Sequence, residues 1–222
     1  MTPSTRSLSL PFIALSLSVL CAAPPSARIE RSGDSWSIDT GVARKVVRIE
    51  DGKFSLVSFR NLRSGREYVS PSQISPEVRV SVDGKTITGA DGGWTLATAD
   101  IREVTCGQAQ LDVKIRRESI ELTKHYLAYS GTPIIRKWVA LVNAGGGPVK
   151  IEEPHFLACN LLPEETADID LYYVTGGGNY NGSQLLKTER MSPEYSRVFD
   201  SKIGIQTRSC GAYLPLLGGV ED

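Results

Sequence analysis

From residue 36 onward the chain alternates apolar and polar positions with period two. Val78, Val80 and Val82 alternate with Arg79 and Ser81, and Asp83-Gly84 then supplies the tight turn of a hairpin. Leu111, Val113 and Ile115 alternate with Asp112, Lys114 and Arg116, a pattern that gives one buried and one wet face. Ile120 and Leu122 open another strand that continues through Tyr126. The run Ile134-Ile135-Arg136-Lys137-Trp138-Val139-Ala140-Leu141-Val142 is longer and more apolar. It predicts a central strand covered on both faces, with Trp138 in the core. Further strand-like runs lie at 36–40, 42–49, 54–59, 94–99, 149–153 and 169–175. Turn formers separate them: Asp51-Gly52, Ser64-Gly65, Asp91-Gly92-Gly93, Gly131-Thr132-Pro133 and Gly145-Gly146-Gly147-Pro148. Only 163–167 hints at a helical turn, with Pro163 suited to a first helical position.

No long window keeps an apolar stripe at helical period, so the chain reads as all-β. About ten strands or more over roughly 190 residues predict one large two-sheet antiparallel sandwich. No internal repeat, linker or charge block marks a domain boundary after residue 28. The far end changes character. Gly176-Gly177-Gly178-Asn179-Tyr180-Asn181-Gly182 is a run of turn formers, followed by a polar stretch through Arg190 and by strand-like runs at 198–205 and 210–217. The last residues, Gly218-Gly219-Val220-Glu221-Asp222, follow an apolar strand without a tidy cap, so the domain at 28–222 is expected to be incomplete at its C-terminus.

Residues 1–27 read as a secretory signal peptide. Arg6 is their sole charge, an apolar run from Leu8 to Leu20 follows, and Cys21-Ala22-Ala23 and Pro24-Pro25 come next. The run is shorter than the ~20 apolar residues of a bilayer span, and Leu20 is bulky where lipoprotein processing prefers a small residue. The expectation is cleavage between Ala22 and Ala27, export to the periplasm or beyond, and no membrane span afterwards. Cys106, Cys159 and Cys210 then remain, enough for one bridge with a thiol left over, or for three buried small hydrophobes.

Composition narrows the function classes. With 25 Lys+Arg against 25 Asp+Glu there is no basic excess to neutralise phosphates, which argues against a nucleic-acid partner. A hydrophobic content of 41% argues against disorder. His125 and His155 stand thirty residues apart, with no His-Glu-x-x-His and no paired cysteines at zinc spacing, so neither metal nor cofactor is expected. Asp168 and Asp170 share one face of a strand start but lack a Gly-bearing loop of oxygen ligands, and read as a solvated edge. There is no Gly-x-Ser-x-Gly elbow. Glu152-Glu153 and Glu164-Glu165 are adjacent pairs, which on a strand point to opposite faces and single out no acid and base for glycoside hydrolysis. Sugar binding needs an aromatic platform and planar polar groups, because a pyranose has an apolar face and a ring of hydroxyls. Trp94, after a glycine-rich turn, and the loop residues Asn179, Tyr180 and Asn181 are the carbohydrate-binding candidates. For Trp94 a core position is the leading reading and exposure on the turn the alternative. Asn181-Gly182-Ser183 is also a glycosylation sequon, relevant in a eukaryotic secretory host.

The stretch His125-Tyr126-Leu127-Ala128-Tyr129, followed by Pro133-Ile134-Ile135-Arg136-Lys137-Trp138-Val139-Ala140-Leu141-Val142-Asn143, resembles the amino-terminal domain of family 36 glycoside hydrolases, the α-galactosidase group. Gly147-Pro148-Val149, the approach to Leu161-Leu162-Pro163, the segment from Leu171 to Gly176, and Gly211-Ala212-Tyr213-Leu214-Pro215-Leu216 are similar to segments that follow there in the same order. The resemblance spans residues 35–217 and contains no catalytic signature. It implies a β-supersandwich of the galactose-mutarotase type, placed before a (β/α)8 barrel that carries the catalytic aspartates in full-length relatives. No catalytic residue transfers to this chain. The expected function is that of an exported non-catalytic domain that binds carbohydrate or scaffolds such a barrel. The alternative is a stand-alone secreted carbohydrate-binding or adhesive sandwich.

Overall fold

The computed structural model describes residues 26–69, 74–104, 107–155, 158, 160, 169–174, 186–191 and 214–221. The signal-like segment, all four cysteines, the 163–167 turn, Asp168, the Asn179–Asn181 loop and the 198–205 run lie outside them.

The described residues form strands and no helix. The first sheet is an antiparallel meander, β1 (Arg28–Ser32), β2 (Ser35–Asp39), β3 (Ala43–Glu50), β4 (Lys53–Asn61) and the short β5 (Ser75–Pro76), paired in chain order. The hairpin of β6 (Arg79–Val82) and β7 (Lys85–Thr88) is extended by β12 (Ile151–His155), which pairs with β6. A four-stranded sheet comprises β8 (Thr95–Val104), β9 (Gln108–Arg117), β10 (Ile120–Ala128) and β11 (Ile135–Asn143), again in consecutive antiparallel pairs. Finally β13 (Ile169–Val174) pairs on one side with β14 (Leu186–Met191) and on the other with β15 (Leu214–Glu221).

Period two explains the packing. On β10, Ile120, Leu122, Lys124, Tyr126 and Ala128 are buried, while the residues between them are half-buried. Trp36 and Ile38 of β2, Val47 and Ile49 of β3 and Phe54 and Leu56 of β4 meet Leu111, Val113 and Ile115 of β9, together with Val80, Val82 and Ile87, in a single hydrophobic core. The result is an antiparallel all-β sandwich. The hairpin turns follow their chemistry: Asp83 and Gly84 both adopt positive φ, at 49° and 78°, and Asp51 and Gly52 do the same at 50° and 70°.

Two expectations need correction. The 134–142 run is not a central strand: β11 is an edge of its sheet, paired only with β10 among the described residues. Its Ile135, Val139 and Leu141 pack on the core, whereas Arg136, Ala140 and Val142 are exposed, Val142 at 51%. The run is apolar on both faces, but one layer covers only one of them. Trp138 therefore lies on the outer face, half-buried, and not in the core. The polar stretch through Arg190 includes β14, which forms on cross-strand partners in β13. β15, likewise, continues through Gly218-Gly219 to Glu221.

Gly89 marks the closest approach between these layers. Its N–H donates to Val78 O at 2.9 Å and its carbonyl accepts from Phe54 N–H at 2.8 Å. A Cβ there would stand 2.2 Å from Phe54 O, a backbone atom that cannot swing aside. Gly89→Ala is expected to lower the urea midpoint by the equivalent of about 1–3 kcal/mol. Gly146→Ala, which meets open space, is expected to stay within about 0.5 kcal/mol of the parent. Equal midpoints for the two variants would contradict this close approach.

Candidate functional site

The outer face of the four-stranded sheet carries a polar and aromatic row set by strand register. Trp138 on β11 is directly opposite His125 on β10, which is opposite Asp112 on β9, which is opposite Asp100 on β8. The imidazole of His125 stacks on the Trp138 indole with ring centroids 4.8 Å apart and planes inclined by 10°. The Arg136 guanidinium lies against the same indole, 5.4 Å from its centroid. His125 Nδ1 is 2.6 Å from Asp112 Oδ1. An ionised carboxylate only accepts, so Nδ1 carries the proton. Gln110 Nε2 donates to the same Oδ1 at 2.8 Å, and Arg102 Nη1 donates to Oδ2 at 2.8 Å. Burial alone would raise the Asp112 carboxyl; the hydrogen bonds from Gln110 and His125, with the charges of His125 and Arg102, bring it below its usual range. The carboxylate is thereby fixed as an anion that orients an imidazole, an amide and the Arg102 guanidinium, and the imidazole in turn stacks on the indole. Such an array combines an aromatic surface with fixed planar donors and acceptors, the two chemistries a pyranose requires.

The inner face of the same strands holds a second cluster. Glu77, between β5 and β6, is buried with its carboxylate bound to Lys45 Nζ of β3 through Oε1. The Tyr126 hydroxyl donates to Oε2 at 2.7 Å. Lys124 Nζ donates to the Glu77 backbone carbonyl at 2.8 Å and stands 3.9 Å from Oε2. Lys137, from β11, is close enough to Lys45 and Glu77 to feel both charges. Burial opposes ionisation of Glu77, but the charges of Lys45, Lys137 and Lys124 outweigh it and hold the carboxyl below its usual range. Burial and the Glu77 charge push the Tyr126 phenol well above its usual value. Burial first, then the Lys45 charge, lower Lys137 from 10.5 to about 7.

Of the carbohydrate-binding candidates, Trp94 is buried at 2% exposure and presents no face to solvent. Its Nε1 donates to Thr88 O at 2.9 Å, its backbone N–H donates to Gly52 O at 2.9 Å, and the Arg117 guanidinium lies 5.9 Å from its ring centroid. The core reading is where the structure puts it. Asn179, Tyr180 and Asn181 lie outside the described residues. Asp170 pairs with Arg190 Nε at 2.8 Å across the β13–β14 ladder. Among the described residues, no three His, Cys, Asp or Glu side chains converge as a metal site, and no helix is long and apolar enough to cross a membrane.

The outer-face row escaped sequence reasoning because its members are 13 residues or more apart in the chain or sit on different strands. The signal available was parity: His125 alternates with Lys124 and Tyr126, and Trp138 alternates with Lys137 and Val139.

No family model matches the chain, and no curated protein matches it. Among solved structures, the crystal structure of the GH36 α-galactosidase AgaB from Geobacillus stearothermophilus is similar to it with a TM-score of 0.48 at 17% identity, over 68% of this chain and 27% of that one. The chain thus spans about a quarter of that enzyme's length.

Proposed function

We propose that this chain is an exported, non-catalytic β-supersandwich of an α-galactosidase-like glycoside hydrolase, and that it meets carbohydrate on the outer face of β8–β11. The observation that carries the reading is the row centred on Trp138, where Asp112 anchors His125 against the indole. The run that resembles the α-galactosidase group, His125 to Asn143, is the β10–β11 hairpin that supplies both rings. The indole would take the apolar face of a sugar ring and Arg136 would address its hydroxyls, with Arg102 available to a neighbouring unit of the chain of sugars. Hydrolysis would belong to a (β/α)8 barrel in a full-length relative, since the segments that resemble the α-galactosidase group contain no catalytic signature. Export rests on the signal-like pattern of residues 1–27, and the Asn179-Tyr180-Asn181 loop is a further contact candidate on composition alone.

The test is glycan-array screening of the secreted chain, followed by calorimetric titration of the best α-galactoside. Trp138→Ala is expected to weaken binding about tenfold or more, the equivalent of one lost aromatic contact. Its thermal midpoint should stay close to the parent's, because the indole lies outside the core. Tyr180→Ala in parallel reports on the loop. A folded parent chain with no saturable glycan affinity would overturn the carbohydrate reading.

A further inference from the structure

Beside the row centred on Trp138, the next register of the outer face runs Arg102, Gln110, Leu127, Arg136 across the four strands, with an arginine on each edge strand. The two arginines differ in their partners. Arg102 Nη1 donates to Asp112 Oδ2 at 2.8 Å, and the other oxygen of that carboxylate is taken by Gln110 and His125. Arg136 is exposed, and among the described residues no carboxylate pairs with it. The other acids of this face are elsewhere: Asp100 lies on the far edge strand, and Glu121 is paired with Lys114 at 3.2 Å. Around Arg136 stand apolar and aromatic side chains, with Leu127 opposite on β10, Trp138 two residues on, and Ile134 two residues back and 56% exposed. Its guanidinium lies 5.4 Å from the Trp138 centroid. An indole face attracts a cation without neutralising it, so Arg136 keeps its full charge and its planar fork of donors. The platform beneath it is fixed, because His125 stacks on the indole at 4.8 Å and is itself bound to Asp112.

We propose that Arg136 is a carboxylate site beside the Trp138 indole, and that the carbohydrate met by this face is acidic, a uronate-bearing oligosaccharide. The inference rests on the carbohydrate reading above and names its substrate class. A uronate carries on one ring both groups that this pair answers. Its apolar ring face suits the indole, and its carboxylate presents two coplanar oxygens to the guanidinium fork. A neutral sugar offers Arg136 only hydroxyls, which leave its charge uncompensated. The apolar side chains beside Arg136 lower the local dielectric, so a charge-assisted bond there is stronger than the same bond in open water. Asp112 does not compete for the guanidinium, since both of its oxygens are already engaged.

The experiment titrates the full chain by calorimetry with α-linked trigalacturonate and with its methyl ester, which keeps the rings and removes the charge. The acid is expected to bind about tenfold more tightly than the ester, the equivalent of one charge-assisted hydrogen bond. That preference should shrink as salt is raised. In Arg136→Gln the two ligands should bind alike, with the ester held as tightly as by the parent. Trp138→Ala should weaken both. Triglutamate, which has the charge but no pyranose face, should bind at least about tenfold more weakly than trigalacturonate. Equal affinity of the folded parent for acid and ester would overturn the acidic-sugar assignment and leave the carbohydrate reading in place. Triglutamate bound as tightly as trigalacturonate would overturn the assignment as well, by reducing it to plain charge attraction. If neither sugar binds and no neutral glycan does, both readings fall. None of these three outcomes depends on a variant's folding.

Discussion

Glu77→Gln should unfold at least 3 kcal/mol more easily than the parent chain at pH 7, within the ~3–5 kcal/mol range for breaking a buried ionic group. The substitution keeps the volume and removes the negative charge that Glu77 presents to Lys45, Lys124 and Lys137. Those side chains then lose the Glu77 counter-charge, which is why the cost exceeds that of a lost hydrogen bond. For a chain of this size the thermal midpoint should fall by about 10 °C. Glu121→Gln removes a more exposed pair, with Lys114 Nζ at 3.2 Å, and should cost no more than about 1 kcal/mol.

The pH dependence separates this account from a simple packing defect. The folded Glu77 carboxyl sits below the 4.5 of the unfolded chain, because three ammonium groups outweigh the burial that would raise it. Its contribution is therefore fully present above pH 4.5 and lost as pH falls through the folded value. Parent and Glu77→Gln stabilities should converge in acid. A gap that stays constant from pH 7 down to pH 3 would mean that the loss at Glu77 is steric and not ionic.

Trp94→Ala is expected to cost about 3–5 kcal/mol, the range for removing a large buried aromatic ring. The indole closes the core where β7 and the β3–β4 turn come together, its Nε1 donating to Thr88 O while the residue's backbone N–H donates to Gly52 O. Alanine would leave a cavity, orphan the Thr88 carbonyl from its side-chain donor, and strip Arg117 of the ring beneath it. Chemical denaturation measures the loss directly. Trp94→Phe, which refills most of the volume, should recover over half of it. Any glycan-binding loss in Trp94→Ala should then track its unfolded fraction and disappear in Trp94→Phe. Lost binding in a fully folded Trp94→Phe would instead put the indole in contact with ligand.

Trp94 lies where the leading reading of its sequence context puts it and Trp138 does not, and the reason is the same for both. After Gly92-Gly93 a core position leads over an exposed loop one, and the turn folds back so that the Trp94 backbone bonds to Gly52 and the ring drops into the core. A tryptophan within Ile134–Val142 reads as core, yet period two places it opposite His125 on the outer face. Parity along a strand is local and legible. Which parity is covered depends on a layer supplied from elsewhere in the chain.

The buried lysines make the same point. Lys45 between Ala43 and Val47, Lys124 between Leu122 and Tyr126, and Lys137 between Ile135 and Val139 all occupy core-facing parity in the sequence. Their presence on the inner face was therefore readable. Their partner was not: Glu77 lies 32 residues from Lys45 and 47 from Lys124, on the link between two short strands.

By itself the sequence determined the all-β class, most of the strands from β2 to β13, the Asp-Gly hairpins and the alternation that sorts each strand into two faces. These follow from backbone geometry and side-chain hydrophobicity acting within a few residues. Tertiary structure decided that β11 is an edge, that Trp94 is inside and Trp138 outside, and that one carboxylate answers three lysines. Those outcomes depend on cross-strand and cross-sheet contacts between residues far apart in the chain, whose free energy exists only once the layers have met.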